Sequence, residues 1–127
     1  MRILDPGHLY ELQTLDEPEI CPEPYNRQLR FVKREGPNYP GNSGTYPGTI
    51  IQEVLRCCID RLKYVNSQIP HPMNWLCIQT LRSVIFMLEW RAAERHGRTL
   101  TFEADGIERW LPCATCGHIG CNAGNHQ

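Results

Sequence analysis

Apolar residues recur at helical spacing over two long stretches, and the rest of the chain is arranged around them. Ile51, Val54, Leu55, Cys58, Leu62 and Val65 form one stripe and predict a helix from about Ile50 to about Asn66. Opposite them stand Glu53, Arg56, Asp60 and Lys63, with Arg61 at the flank, and Arg56 and Asp60 are spaced for a surface ion pair. Thr49 is a candidate N-cap, and Gln52 three residues later completes a capping box. Pro70 and Pro72 break the pattern and leave a short connection suited to an antiparallel helix pair. The second helix is predicted from a cap at Asn74 to about His96, with Gly97 as its stop.

That second helix carries two apolar stripes. Ile78, Leu81, Ile85, Leu88 and Ala92 make one, and Trp75, Phe86, Trp90 and Ala93 make another. A helix apolar on two sides has to be covered on two sides, which predicts contact between subunits as well as a core. Alternation replaces helical periodicity nearer the start. His8–Leu12 reads as a short strand after the Asp5-Pro6-Gly7 turn. Leu29–Arg34 alternates Leu29, Phe31 and Lys33 with Arg30, Val32 and Arg34, a half-buried strand that pairs with the first. Asp16–Asn26 reads as a loop, and Thr99–Glu103 as a strand returning to the sheet. The predicted class is α+β: a small antiparallel β-sheet with two long helices in an antiparallel pair, the helices packing between subunits. Residues 1–104 form that domain and residues 105–127 a Cys/His-rich tail.

Composition adds a charge pattern. The net charge of −1 conceals segregation, because residues 25–98 hold eleven bases against five acids while residues 1–24 hold six acids against one base. The middle of the chain therefore suits a small anion, but the whole lacks the positive charge expected of a duplex-DNA binder. No signal peptide or membrane span is visible, the most apolar segment being interrupted by Gln79, Thr80, Arg82 and Ser83. Seven cysteines, odd in number and without a secretory signal, predict reduced thiols in a cytosol.

Three features carry candidate chemistry. Before the first helix, Tyr39–Thr49 is crowded with Gly and Pro and holds two Tyr-Pro-Gly copies. A helix start after such a loop offers backbone N–H groups to a phosphate or carboxylate, although the spacing fits neither a Walker A loop nor a dinucleotide fingerprint. The plain reading is a structural turn. Arg91, Arg95 and Arg98 gather at the end of the second helix, where they complement its dipole or close on a ligand. In the tail, Cys113-x2-Cys116-x4-Cys121-x4-His126 offers three thiolates and an imidazole, with His118 to spare. These suit a closed, structural zinc site; the other reading is a loosely ordered tail of reduced thiols. No motif for catalysis stands out, and Cys77, in an apolar run, reads as packed. The chain reads as a binder and not as an enzyme.

The segments LDPGHLYEL, LRFVKREG, NYPGNSGTYPGT, IQEVLRCCIDRLKYVNSQIP and LEWRAAERHGR resemble a phage and prophage family, the first Thoeris anti-defence family. The resemblance covers roughly Ile3–Arg98 and leaves the tail outside. It implies a small antiparallel sheet with two helices, packed through the helices into a hexamer in the host bacterial cytoplasm. It implies binding, without cleavage, of the cyclic ADP-ribose isomers made by TIR enzymes, in pockets shared between subunits. Some members also hold cyclic trinucleotides at separate sites. Withholding the messenger blocks Thoeris immunity, and in the second case immunity of the CBASS kind.

Carried by position, the resemblance makes Arg91 the phosphate binder with Arg95 as substitute, and Asn74 and Tyr64 candidates for base or ribose contact. Tyr39, Asn42 and Tyr46 are candidates from the glycine loop, and Arg56 and Arg61 candidates for a second, trinucleotide site. Two other classes stay open. The zinc-knuckle-like tail and basic middle also suit a small nucleic-acid-binding or regulatory module, and a phosphodiesterase that degrades the messenger is the third reading.

Overall fold

The structure is a computed structural model and describes residues 1–16, 27–33, 46–95 and 97 of the 127-residue chain. Tyr39, Asn42, Arg98, the Thr99–Glu103 strand and all four candidate zinc ligands, Cys113, Cys116, Cys121 and His126, lie outside the described residues. The fold is α+β, with three strands followed by two helices, and it divides into two compact units at the Ile50–Ile51 boundary.

The first unit is a three-stranded antiparallel sheet in the order β1 (Arg2–Asp5), β2 (Leu9–Glu11), β3 (Gln28–Arg30). Strand β2 lies in the predicted His8–Leu12 run and pairs with β3 as expected, with Tyr10 opposite Leu29. Strand β1 was not anticipated. Four residues with three exposed positions carry almost no alternation signal, and pairing to β2 supplies what propensity does not. The β1–β2 link is the expected turn: the His8 N–H donates to the Asp5 carbonyl at 3.0 Å across Pro6 and Gly7. Gly7 takes φ +76° there, the value a type II turn demands after proline and one that a side chain resists.

Beyond β3 the sheet is extended by single bridges rather than a full strand. Phe31 bridges Thr49, and Lys33 bridges Tyr46. The Thr49 N–H donates to the Arg30 carbonyl and the Val32 N–H to the Thr49 carbonyl, both at 2.9 Å. This close approach explains Gly48, where any Cβ would collide with the backbone of Phe31 and Val32. It also corrects the capping assignment. The Thr49 amide is taken up by the sheet, helix α1 (Ile51–Gln68) starts two residues later, and the Gln52 side chain is buried instead of reaching back to close a capping box.

The second unit is a helical hairpin of α1 and α2 (Pro72–Arg95), joined through Ile69, Pro70 and His71. Pro72 at the first helical position has no N–H to leave unsatisfied. The cap is His71, whose Nδ1 accepts the Met73 N–H at 3.1 Å; Asn74, expected in that role, lies inside the helix. Contacts run antiparallel. Gln52 meets Glu89 near one end, and Asn66 meets Asn74 at the turn. Between them Ile59, Ile78 and Ile85 are buried, with Leu55, Leu62 and Leu81 packed around them.

The stripe assigned to α2 is the buried one, with Ile78, Ile85 and Ala92 inside and Leu81 and Leu88 half-buried. That of α1 is rotated by about one residue from the sequence reading. Ile59 takes the central place expected for Cys58, which is exposed together with Ile51 and Cys57. The cause is the polar character of the true inner face, which carries Gln52 and Arg56 beside Leu55, Ile59 and Leu62. Hydrophobic counting therefore slid to the neighbouring face. Cys77 is likewise exposed, not packed. Of the second α2 stripe, Ala93 is buried while Trp75, Phe86 and Trp90 face outward.

Candidate functional site

The candidate residues on the hairpin fall at its two ends. At the turn, Asn66 Oδ1 accepts both the His71 N–H and an Asn74 Nδ2–H at 3.1 Å, so the two amides fasten α1 to α2. Tyr64 stands one turn away on α1 and is half exposed. Its hydroxyl accepts from Gln68 Nε2 at 3.1 Å, and the Arg61 guanidinium lies 5.2 Å from its ring centroid. A ring so placed offers a face for stacking next to a cation that favours phosphate. Arg61, Tyr64 and Asn74 thus share one end of the hairpin.

Arg91 and Arg95 occupy the other end, both exposed, in the last turns of α2. Helical rise puts about 25 Å between Asn74 and Arg91. One chain does not bring these two groups together.

Arg56 belongs to neither surface. Its side chain is 10% exposed and turned into the hairpin, so the expected solvent-face pairing with Asp60 is replaced by two other carboxylates. Nη1 donates to Glu53 Oε1 at 2.6 Å, and Nη2 lies 3.8 Å from Glu89 Oε1. Glu89 is 1% exposed and also receives Gln52 Nε2 at 3.4 Å. Arg56 Nε and Nη2 are buried without a hydrogen bond, an arrangement that holds charge in a low-dielectric space with long contacts. Sequence reading missed Glu89 altogether. Its signal was available: Ile78, Ile85, Glu89 and Ala92 continue one inner face, but a carboxylate at such a position is discounted by any count of apolar residues. With Arg56 inward and Arg61 outward, one chain does not present the pair assigned to a second nucleotide site on a common surface.

Tyr46 is in the sheet unit. It is exposed and edge-on to His8, with centroids 6.2 Å apart, and the Lys33 ammonium sits 5.5 Å from its ring. Lys33 Nζ also donates to Asp5 Oδ2 at 3.1 Å, and His8 Nδ1 lies 2.5 Å from the Phe31 carbonyl. Lys33 and His8 were not among the candidates. They join Tyr46 because the Lys33–Tyr46 bridge closes the sheet edge beside the first turn, a pairing that no local pattern announces.

Among the described residues no group of three or more His, Cys, Asp or Glu is arranged to hold a metal ion, and no helix is long and apolar enough to cross a membrane. Fold and candidate residues together define a class: a small α+β protein with a strand unit and a helical hairpin that carries Arg91 and Arg95 at one end and Arg61, Tyr64 and Asn74 at the other. No protein-family model, curated protein or solved structure matches this chain.

Proposed function

We propose that the protein binds small cyclic signalling nucleotides and withholds them intact from their effectors, in the manner of the first Thoeris anti-defence family. Cyclic ADP-ribose isomers are the primary ligands and cyclic di- or trinucleotides the secondary ones. Their capture blocks Thoeris immunity, and immunity of the CBASS kind, in the bacterial host cytoplasm. The reading is supported by the kinds of group on the hairpin: exposed Arg91 and Arg95 for a pyrophosphate, and Tyr64 with Arg61 and Asn74 for a base and its ribose. Distance is the observation that carries it furthest. These groups lie at opposite ends of the hairpin, so a site that uses both draws them from different copies of the chain, and the working form is an oligomer, proposed here as a hexamer. Charge neutralisation by guanidinium groups and stacking on an aromatic require no chemical step, which makes the protein a reservoir and not an enzyme.

Calorimetry with a panel of cyclic ADP-ribose isomers and cyclic di- and trinucleotides tests the reading. Saturable binding of at least one cyclic ADP-ribose isomer is expected, with the nucleotide recovered unaltered after denaturation. Salt-sensitive binding to single-stranded RNA with no heat from any cyclic nucleotide contradicts it, as does recovery of a hydrolysed product.

A further inference from the structure

Helix α1 carries two thiols side by side on its outer surface. Cys57 and Cys58 are consecutive, and both are exposed. Their exposure follows from the phase of the helix. Leu55, Ile59 and Leu62 pack toward α2, with Ile59 only 1% exposed, so Cys57 falls opposite the inner face and Cys58 on its flank. Free cysteine is among the most buried of residue types. Two in a row at the surface contribute nothing to the core, and their chemistry is what distinguishes them.

The helix decides what the pair can do. Adjacent Cα atoms lie about 3.8 Å apart, short of the roughly 4.4 Å at which disulfides begin. A direct sulfur–sulfur bond would therefore unwind the turn that holds Ile59 in the core, and the intact helix keeps the pair as a dithiol. A bridging atom relaxes that limit. The two side chains leave the axis about 100° apart, but rotation about each Cα–Cβ bond turns the sulfurs toward one another. Two bonds of about 2.3 Å, as in thiolate–zinc coordination, then span the gap. The number of thiols selects the occupant. Cys77 is exposed too, yet the Gln52–Glu89 and Asn66–Asn74 contacts set it opposite residues 63–64, about 9 Å along the hairpin from the pair. Among the described residues no group of three or more His, Cys, Asp or Glu completes a metal site. A tetrahedral ion such as zinc takes four ligands, whereas a trivalent arsenical with one organic substituent takes two thiolates, its third bond being to carbon.

We propose that Cys57 and Cys58 form a two-thiolate site for trivalent organoarsenicals, distinct from any nucleotide site and independent of it. The step balances without a co-reactant. An arsenical with two hydroxyl groups exchanges both for sulfur: two As–O and two S–H bonds break, two As–S and two O–H bonds form, and two molecules of water leave. Nothing is oxidised or reduced. The pair is held on a helix whose opposite side is packed, so the site exists before its ligand arrives.

Phenylarsine oxide is the probe. The full chain is labelled with an excess, washed with 2-mercaptoethanol and digested with trypsin. Cleavage after Arg56 and Arg61 isolates Cys57 and Cys58 from the fragments that hold Cys21, Cys77 and the three tail cysteines. Mass analysis is expected to find one phenylarsenic group on the fragment of residues 57–61, resistant to the monothiol and removed by 1,2-ethanedithiol. Far-UV circular dichroism of the labelled protein is expected to match that of the free protein. In Cys57→Ser and in Cys58→Ser, the 2-mercaptoethanol concentration that strips half the label from this fragment is expected to fall about 100-fold or more, because one thiol lacks the gain of a second attachment. A fragment that carries no arsenic, or label held equally well by either single variant, overturns the proposal. So does a loss of helix content on labelling from which the double serine variant is spared.

Discussion

Replacing Arg56 by Met is the most incisive test of how the hairpin is held. The guanidinium is nine-tenths buried, and its Nη2 lies 3.8 Å from a carboxylate that is 1% exposed. At that separation the gross attraction is about 4 kcal/mol for an effective dielectric constant near 20, and desolvation of both groups offsets much of it. Removing one member leaves the other charge behind, which costs about 3 kcal/mol or more. The Glu53 contact adds little, because the Glu53 side chain is 44% exposed and its charge is screened by water. Arg56→Met and Glu89→Leu are therefore each expected to destabilise the protein by about 3 kcal/mol. Together they are expected to cost about 1–3 kcal/mol, well below the sum of the singles, since no uncompensated charge remains and only the buried Gln52 amide loses its acceptor. Urea unfolding followed by far-UV circular dichroism measures all four corners of the cycle. Had Arg56 paired with Asp60 on the surface, its loss would cost only a few tenths of a kcal/mol. A cost that small, or a double variant that simply sums the singles, refutes the buried-pair account.

Other expectations follow from the same geometry. Gly48→Ala drives a Cβ into the backbone of Phe31 and Val32 and should lower stability by about 1–3 kcal/mol in the same unfolding assay. Asn66→Ala removes the acceptor shared by His71 and Asn74, and a loss of about 1–2 kcal/mol is expected, whereas Asn66→Asp keeps an acceptor and should lose less. Arg91→Ala, at an exposed position on α2, should leave the unfolding midpoint unchanged and weaken cyclic nucleotide binding about tenfold or more, as expected when a charge-assisted contact is lost. If Cys113, Cys116, Cys121 and His126 hold zinc, elemental analysis should return one metal per chain, lost in Cys113→Ser; seven freely titrating thiols in a metal-free protein favour the other reading of the tail.

Local rules reached a good part of this fold. Helix periodicity, the prolines between Ile69 and Met73 and the Asp5-Pro6-Gly7 turn located both helices, their antiparallel connection and the turn that precedes β2. Each failure came from a property that becomes visible only when elements meet. The phase of α1 slipped because Gln52 and Arg56, polar in isolation, are drawn inward by Glu89 on the other helix. Strand β1 escaped because its pairing with β2, not its composition, makes it a strand. Thr49 was read as a cap because the sheet that takes its amide lies far back in the sequence, at Arg30.

The candidate site was legible in kind but not in layout. Arg91, Asn74 and Tyr64 are the types of group a nucleotide needs, yet only the hairpin shows that the first stands about 25 Å from the second along α2. On the outward face of α2, Met73, Leu76, Met87 and Trp90 are all more than half exposed, and only Trp90 stood in the predicted second stripe.

The central claim is that this protein holds a cyclic signalling nucleotide and leaves it chemically unchanged. Its most direct measurement is titration of a cyclic ADP-ribose isomer into the protein in a calorimeter, followed by heat denaturation and mass analysis of what is released. A saturable isotherm with the nucleotide recovered whole is the expected result. A flat isotherm across the cyclic ADP-ribose isomers, or a released product that has gained water, would contradict the account.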